Sequence, residues 1–229
     1  IENFVNIKSL DISSNMISNI DLSPFQNLIS LSCGYNQFTG LDVNMLPQLK
    51  SLSCRHNQIT NMDISGLLNL TDLDCYENQL TNLDLTGLPN LKSLICQSNP
   101  LTSLNLTGLV YLEYLICVAT QLTGIDLSTQ SSLIVMDCSF SRLINLDVSH
   151  SPNLITLECS SCDLTSLNVI GLAQLETLNC LDNALPALDL SGLTHLKTLN
   201  CSGNQLQTLD LSGLPELVTL ACNQNILTS

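Results

Sequence analysis

Three kinds of reactive side chain are plentiful enough to do chemistry: 11 cysteines, 3 histidines, and 20 aspartates and glutamates. That many thiols raises the prospect of a disulfide framework or a metal site, but their placement argues against both. Cys33, Cys54, Cys75, Cys96, Cys117, Cys138, Cys159, Cys180, Cys201 and Cys222 recur every 21 residues. Side chains held at one position of successive parallel strands stand about 4.8 Å from two equivalent neighbours. A disulfide there would choose among equals and strain its dihedral, so the column reads as free thiols serving as small apolar fillers. Cys159 and Cys162 have C-x-x-C spacing, yet zinc needs two more convergent ligands and no histidine is placed to provide one. No metal and no cofactor is expected. Of His56, His150 and His195, only His56 falls near a serine and a carboxylate, Ser53 and Asp74. Such proximity is common on a serine-rich surface, and a flat sheet brings neither oxyanion donors nor exclusion of water. The sequence is read as non-enzymatic.

Charge and composition narrow the partners. Six cations against twenty carboxylates leave a net charge of −14. An acidic field of this size repels nucleic acid and anionic lipid surfaces. Hydrophobic residues make up 45% of the chain, too many for disorder. No apolar run approaches the roughly 18–20 residues of a spanning helix, so no membrane insertion is expected. With no Trp and only four Phe, the core must be aliphatic.

The elements that hold these side chains follow from the period. The consensus L-x-x-L-x-C-x-x-N-x-L-T-x-L-D-L-S-G-L-P-x runs through ten full 21-residue units, residues 7–216, and a truncated eleventh, residues 217–229. A unit this short cannot bury its apolar side alone, but stacked copies can, each coil covering the next. L-x-L-x-C alternates with period two and predicts a short strand. The rest of each unit must return the chain to start a parallel neighbour. Strands pack closer together than the bulkier returns, so the strand side curves inward. Seven residues of D-L-S-G-L-P type leave no room for a full helix and predict extended or 3₁₀-like returns. Asn at the ninth position (Asn15, Asn36, Asn57, Asn78, Asn99, Asn183, Asn204, Asn225) should turn inward and bond freed backbone groups. Thr120, Ser141 and Cys162 interrupt that column, and the ladder should be weakest there.

Blocks such as Leu70-Thr71-Asp72-Leu73-Asp74-Cys75-Tyr76-Glu77-Asn78, followed by Leu80-Thr81-Asn82-Leu83-Asp84-Leu85, match the leucine-rich repeat signature with Cys in the third apolar slot. They resemble the bacterial leucine-rich repeats of the internalin type, and among these the cysteine-ladder subclass. The resemblance covers essentially the whole chain; the S-G-L-P return differs from the Asn-rich return of that subclass. The fold class expected is an α/β solenoid, mostly β: a horseshoe of about eleven 21-residue coils with a parallel sheet on the concave face. Residues 1–229 are read as a single repeat domain. Neither end carries a polar cap, so the chain is read as a fragment of a longer protein. The resemblance implies a recognition scaffold, used in adhesion or host interaction, at the surface of a bacterium or secreted from it, into a host cell included. A protein ligand, one of a host included, is the expected partner of a monomer. The alternatives are a targeting domain whose catalytic part lies elsewhere, and a structural spacer.

Register then places the outward side chains. The third position is mostly Ser or Thr, and the fifth is polar near both ends. Tyr76, Ile95, Tyr114, Ile116, Val118, Val135 and Phe140 depart from this on adjacent coils and predict one apolar patch, the candidate binding site. Acidic residues surround it: Asp72, Asp74 and Glu77 on one side, where Arg55 and His56 face them, and Asp137 and Glu158 on the other. The aspartates at the fifteenth position stack like charges and need amide partners from the turn, or cations.

Overall fold

The computed structural model describes residues 6–228; residues 1–5 and Ser229 of the expected repeat domain lie outside the described residues. Eleven three-residue strands, from Ser9–Asp11 to Thr219–Ala221, form one parallel sheet in chain order. Each step advances by one repeat without slippage: Leu10 pairs with Leu31, Leu31 with Leu52, and Leu199 with Leu220. The horseshoe expected from the period is therefore present. Every regular element among the described residues is a strand, and none is a helix. Two further parallel pairs lie in the returns, Gly40–Asp42 with Asn61–Asp63 and Asn145–Asp147 with Ser166–Asn168.

Why each strand stops is local. The eighth residue of every coil adopts the left-handed conformation. Ser14, Tyr35, His56, Glu77, Ser98, Ala119, Phe140, Ser161, Asp182 and Gln224 have φ between 51° and 59°, and Gly203 has 65°. A non-glycine residue there costs about 1–2 kcal/mol. Ninth-position asparagines offset that cost. Asn99 Oδ1 accepts the Leu80 amide at 3.0 Å, and its Nδ2 donates to the carbonyls of Cys75 at 3.0 Å, Cys96 at 3.1 Å and Gln97 at 3.3 Å. One side chain thus satisfies backbone groups of two coils, and the pattern repeats at Asn36, Asn57, Asn78 and Asn204.

The interruption behaves as anticipated. Thr120 donates to the Cys117 carbonyl at 2.9 Å, and Ser141 to that of Cys138 at 2.6 Å. The Cys162 thiol meets the Cys138 carbonyl at 3.1 Å. Among the described residues no side chain accepts from the amides of Leu101, Leu122 and Leu143, the task asparagine performs elsewhere. The same stretch departs from the consensus at the back of the coil. Buried Gln130 and Ser151 stand where the other coils carry leucine or, at Phe25, phenylalanine. They are satisfied there: Gln130 Nε2 donates to the Leu106 carbonyl at 3.0 Å, and Ser151 Oγ to that of Gln130 at 3.0 Å.

Returns close through turns. At the fifteenth position the side-chain oxygen accepts the amide two residues on, as in Asp84 to Thr86 and Asp189 to Ser191, both 2.9 Å. Two successive i→i+3 bonds follow, such as Leu46 N to Val43 O and Leu49 N to Leu46 O, each 3.0 Å. These are the 3₁₀-like contacts expected, too brief to continue as a helix. In a coil that follows the consensus, seven apolar side chains seal the interior; in one coil they are Leu28, Leu31, Cys33, Phe38, Leu41, Val43 and Leu46.

Candidate functional site

Strand pairing decides which outward side chains are neighbours. Along the fifth position the register runs Asp74, Ile95, Ile116, Asp137, Glu158 on consecutive strands. Along the third position it runs Asp72, Ser93, Tyr114, Val135, Thr156. Ile95, Ile116, Tyr114 and Val135 therefore form a contiguous apolar island with carboxylates at both ends. Tyr114 keeps 42% of its surface in solvent and Phe140 keeps 62%. Ile95, Ile116, Val118 and Val135 are partly exposed. Phe140 is notable for its backbone as well: φ is 59°, a conformation in which a bulky aromatic is uncommon.

Tyr76 belongs to a different group. Gln97 lies between it and Val118 in the seventh-position column. Its ring meets the edge of the His56 ring at 4.7 Å between centroids, and His56 stacks on Tyr35 at 4.1 Å. The Arg55 guanidinium lies 5.5 Å from the Tyr35 ring centre. Sequence reasoning missed this aromatic row; the signal was Tyr35, His56 and Tyr76 at the eighth, eighth and seventh positions of consecutive coils. The hydroxyl of Tyr76 is raised above its ordinary value by its hydrogen bond to Glu77.

Charges divide into two unequal groups. On the Tyr76 side, His56 Nδ1 lies 2.9 Å from Glu77 Oε2, and Arg55 Nη1 lies 4.0 Å from Asp74 Oδ2. Asp74 also accepts from the Ser53 hydroxyl at 3.1 Å and the Tyr76 amide at 3.2 Å. His56 thus faces Glu77 and Tyr35, while Ser53 bonds directly to Asp74, and the three do not form a relay. On the opposite side, Asp137 and Glu158 are direct cross-strand partners. Asp137 accepts the Ser139 amide at 3.0 Å, and Glu158 accepts from Asn179 Nδ2 at 2.8 Å. Burial raises the Glu158 carboxyl above its ordinary value, against the Asn179 bond, and the Asp137 charge adds to the rise. No ion pair among the described residues involves either carboxylate.

Beneath this face the cysteines are free, buried from Cys33 to Cys201 and partly buried at Cys222. Burial pushes Cys33, Cys117 and Cys180 up to about 12, which makes the thiols poor nucleophiles. No group of three or more His, Cys, Asp or Glu suited to a metal ion occurs among the described residues. The fifteenth-position aspartates resolve their stacking through turn amides and hydroxyls, which hold Asp84, Asp126 and Asp189 below the usual carboxylate value.

A second ladder, also unforeseen, runs along the opposite rim. Asn69, Asn90, Ser132 and Asn153 donate to carbonyls of the preceding coil at 2.8–3.0 Å. Beside it Leu68, Val110 and Tyr111 are exposed, next to a shallow open groove edged by Lys50, Lys92 and Tyr111.

The comparisons agree with this architecture. The family described as Leucine Rich repeats (2 copies) matches residues 47–87, and that described as Leucine Rich Repeat matches residues 6–28 and 195–218. The functional domain of InlJ from Listeria monocytogenes, which includes a cysteine ladder, is 31% identical over 100% of this chain, with a TM-score of 0.89. This chain spans 56% of that structure's length. A leucine-rich repeat protein of Leptospira interrogans is 22% identical, covering 100% of this chain and 69% of its own, with a TM-score of 0.79. The internalin InlF of Listeria monocytogenes is 23% identical, covering 100% and 84%, with a TM-score of 0.63. No curated protein sequence matches the chain.

Proposed function

We propose that this chain, a leucine-rich repeat protein of the internalin-like cysteine-ladder type, is the protein-binding scaffold of a bacterial surface or secreted protein. Its concave sheet grips a partner protein, one of a host included. The carrying observation is the apolar island: Tyr114 and Phe140 remain exposed beside Ile95, Ile116, Val118 and Val135, on a face otherwise lined by Ser, Thr, Asn and acidic residues. Exposed aromatics on a rigid sheet are favoured interface anchors.

The coils that carry the island support the reading. In two of the island's three coils, those of Tyr114, Ile116 and Val118 and of Val135 and Phe140, the asparagine column fails at Thr120 and Ser141, and Gln130 and Ser151 replace core leucines. Departures from a local rule concentrate at functional positions. The secreted or surface setting is part of the proposal and rests on the likeness to internalins.

The test is a triple variant, Tyr114→Thr, Ile116→Thr and Phe140→Ser, screened against arrayed secreted and cell-surface proteins. Binding partners of the parent should be lost by at least about tenfold, with the thermal midpoint held. Retained binding at full strength rejects the island as the site.

A further inference from the structure

The island's ends are acidic, and the two ends differ. Asp72 and Asp74 lie near a cation of this chain, Arg55, 4.0 Å from Asp74. Asp137 and Glu158 are directly paired on adjacent strands, partly withdrawn from water, and joined by no ion pair among the described residues. Like charges opposite one another on a sheet are unfavourable, and each is held only by neutral donors, the Ser139 amide and the Asn179 side chain. A partner's cation would relieve this arrangement.

Register fixes the dimensions. Asp74 and Asp137 are three strand steps apart, with Ile95 and Ile116 between them. At about 4.8 Å per step that is about 14 Å. An extended peptide covers the same span in about four residues. Its side chains at the first, third and fifth places then point to one face.

Resting on the scaffold reading above, we propose that the concave island takes an extended segment crossing the strands, with apolar side chains between cationic ones, in a cation-x-apolar-x-cation pattern. The apolar residue covers Ile95, Ile116, Tyr114 and Val135. One cation meets Asp72 and Asp74, and the other meets Asp137 and Glu158. The chain's charge of −14 draws such a segment in from a distance; the island and the spacing select it.

Three capped peptides labelled with the same dye test this by fluorescence anisotropy on the whole chain. The first carries tandem copies of Arg-Thr-Ile-Thr-Arg, the second Glu-Thr-Ile-Thr-Glu, and the third Arg-Thr-Ser-Thr-Arg. The first should bind at least about tenfold more tightly than either other. The double variant D137N/E158Q should weaken it by about tenfold, whereas D189N/D210N, an equal change of charge on the returns, should leave it unchanged. Equal binding of the first two peptides would keep the apolar island as a docking surface and overturn the cationic requirement. Equal binding of the first and third, or equal loss in both double variants, would reduce the effect to bulk attraction and overturn the proposal. Binding by none of the three would overturn the proposal and count against the scaffold reading as well.

Discussion

Alkaline pH should unfold this protein through its thiols. Burial pushes Cys33, Cys117 and Cys180 from 9.0 to about 12 and Cys201 to about 11. Burial also holds Cys54, Cys75, Cys96 and Cys159 well above 9.0, and Cys138 is held there by the Cys162 thiol and by burial. A group whose folded value is raised stabilises the fold fully below its unfolded value. That contribution drains as pH climbs toward the folded value, because only the unfolded chain releases the proton. At a pH of about 10, each of the three thiols held at about 12, Cys33, Cys117 and Cys180, costs about 1–2 kcal/mol. Cys33, Cys117 and Cys180 alone then cost about 4 kcal/mol, and the other buried thiols held above 9.0 add to it in the same direction. A chain of this length has a stability of about 10–35 kcal/mol, so the loss is decisive within one or two pH units. The assay is far-ultraviolet circular dichroism against pH, read together with thiolate absorbance. Both should change in one steep step between about pH 9.5 and 11. Replacing Cys96 and Cys117 by alanine should lower the starting stability through two small cavities, yet flatten the step by two protons. Thiolate absorbance that rises gradually through about pH 8–9 while the dichroism stays native would refute the burial argument.

Two further outcomes follow from the backbone's side-chain partners. Asn99→Ala strands the Leu80 amide and the Cys75 and Cys96 carbonyls and should cost about 3 kcal/mol, at about 1 kcal/mol per bond. Thr120→Asn should gain about 1–2 kcal/mol by giving the Leu101 amide an acceptor; urea titration of both variants checks the opposite signs. At the acid end, Asp63, Asp84 and Asp210 have folded values below 3.8, owing first to the Asn44 amide for Asp63 and to the amides of Thr86 and Ser212 for Asp84 and Asp210. The sign is that of a depressed carboxylate: stability is intact above about pH 4 and is lost as pH falls through the folded values. The thermal midpoint should therefore drop below pH 4, and Asp84→Asn should soften the drop, since Asn105 makes the same turn bond at 3.0 Å. A midpoint that stays level down to about pH 2.5 contradicts this.

Much of this was legible because it is repeated. Leucine, cysteine and asparagine recur at fixed offsets, so strand, interior column and amide ladder could be placed before any coordinates, as could the weak stretch at Thr120, Ser141 and Cys162. What varies from coil to coil was harder to read. The left-handed eighth position escaped notice because its occupants include Tyr35, His56 and Phe140, residues that do not announce that conformation as glycine does. Grouping Tyr76 with the island followed from counting columns. Its ring meets that of His56, a contact that spacing alone does not encode. The rim ladder of Asn69, Asn90, Ser132 and Asn153 was hidden because its position accepts several residue types, any of which reaches the carbonyl behind it.

The unslipped register has an evolutionary corollary. Every junction between coils keeps the same strand register, so excising or duplicating one 21-residue block by unequal recombination leaves the strands on both sides of the cut in step. Such an event would shift the carboxylates of Asp74 and Asp137 relative to one another by one strand step, about 4.8 Å, without disturbing either flank. Lineages built on this plan can thus lengthen or shorten their reach in quanta, retuning what they hold while the wall that holds it stays sound.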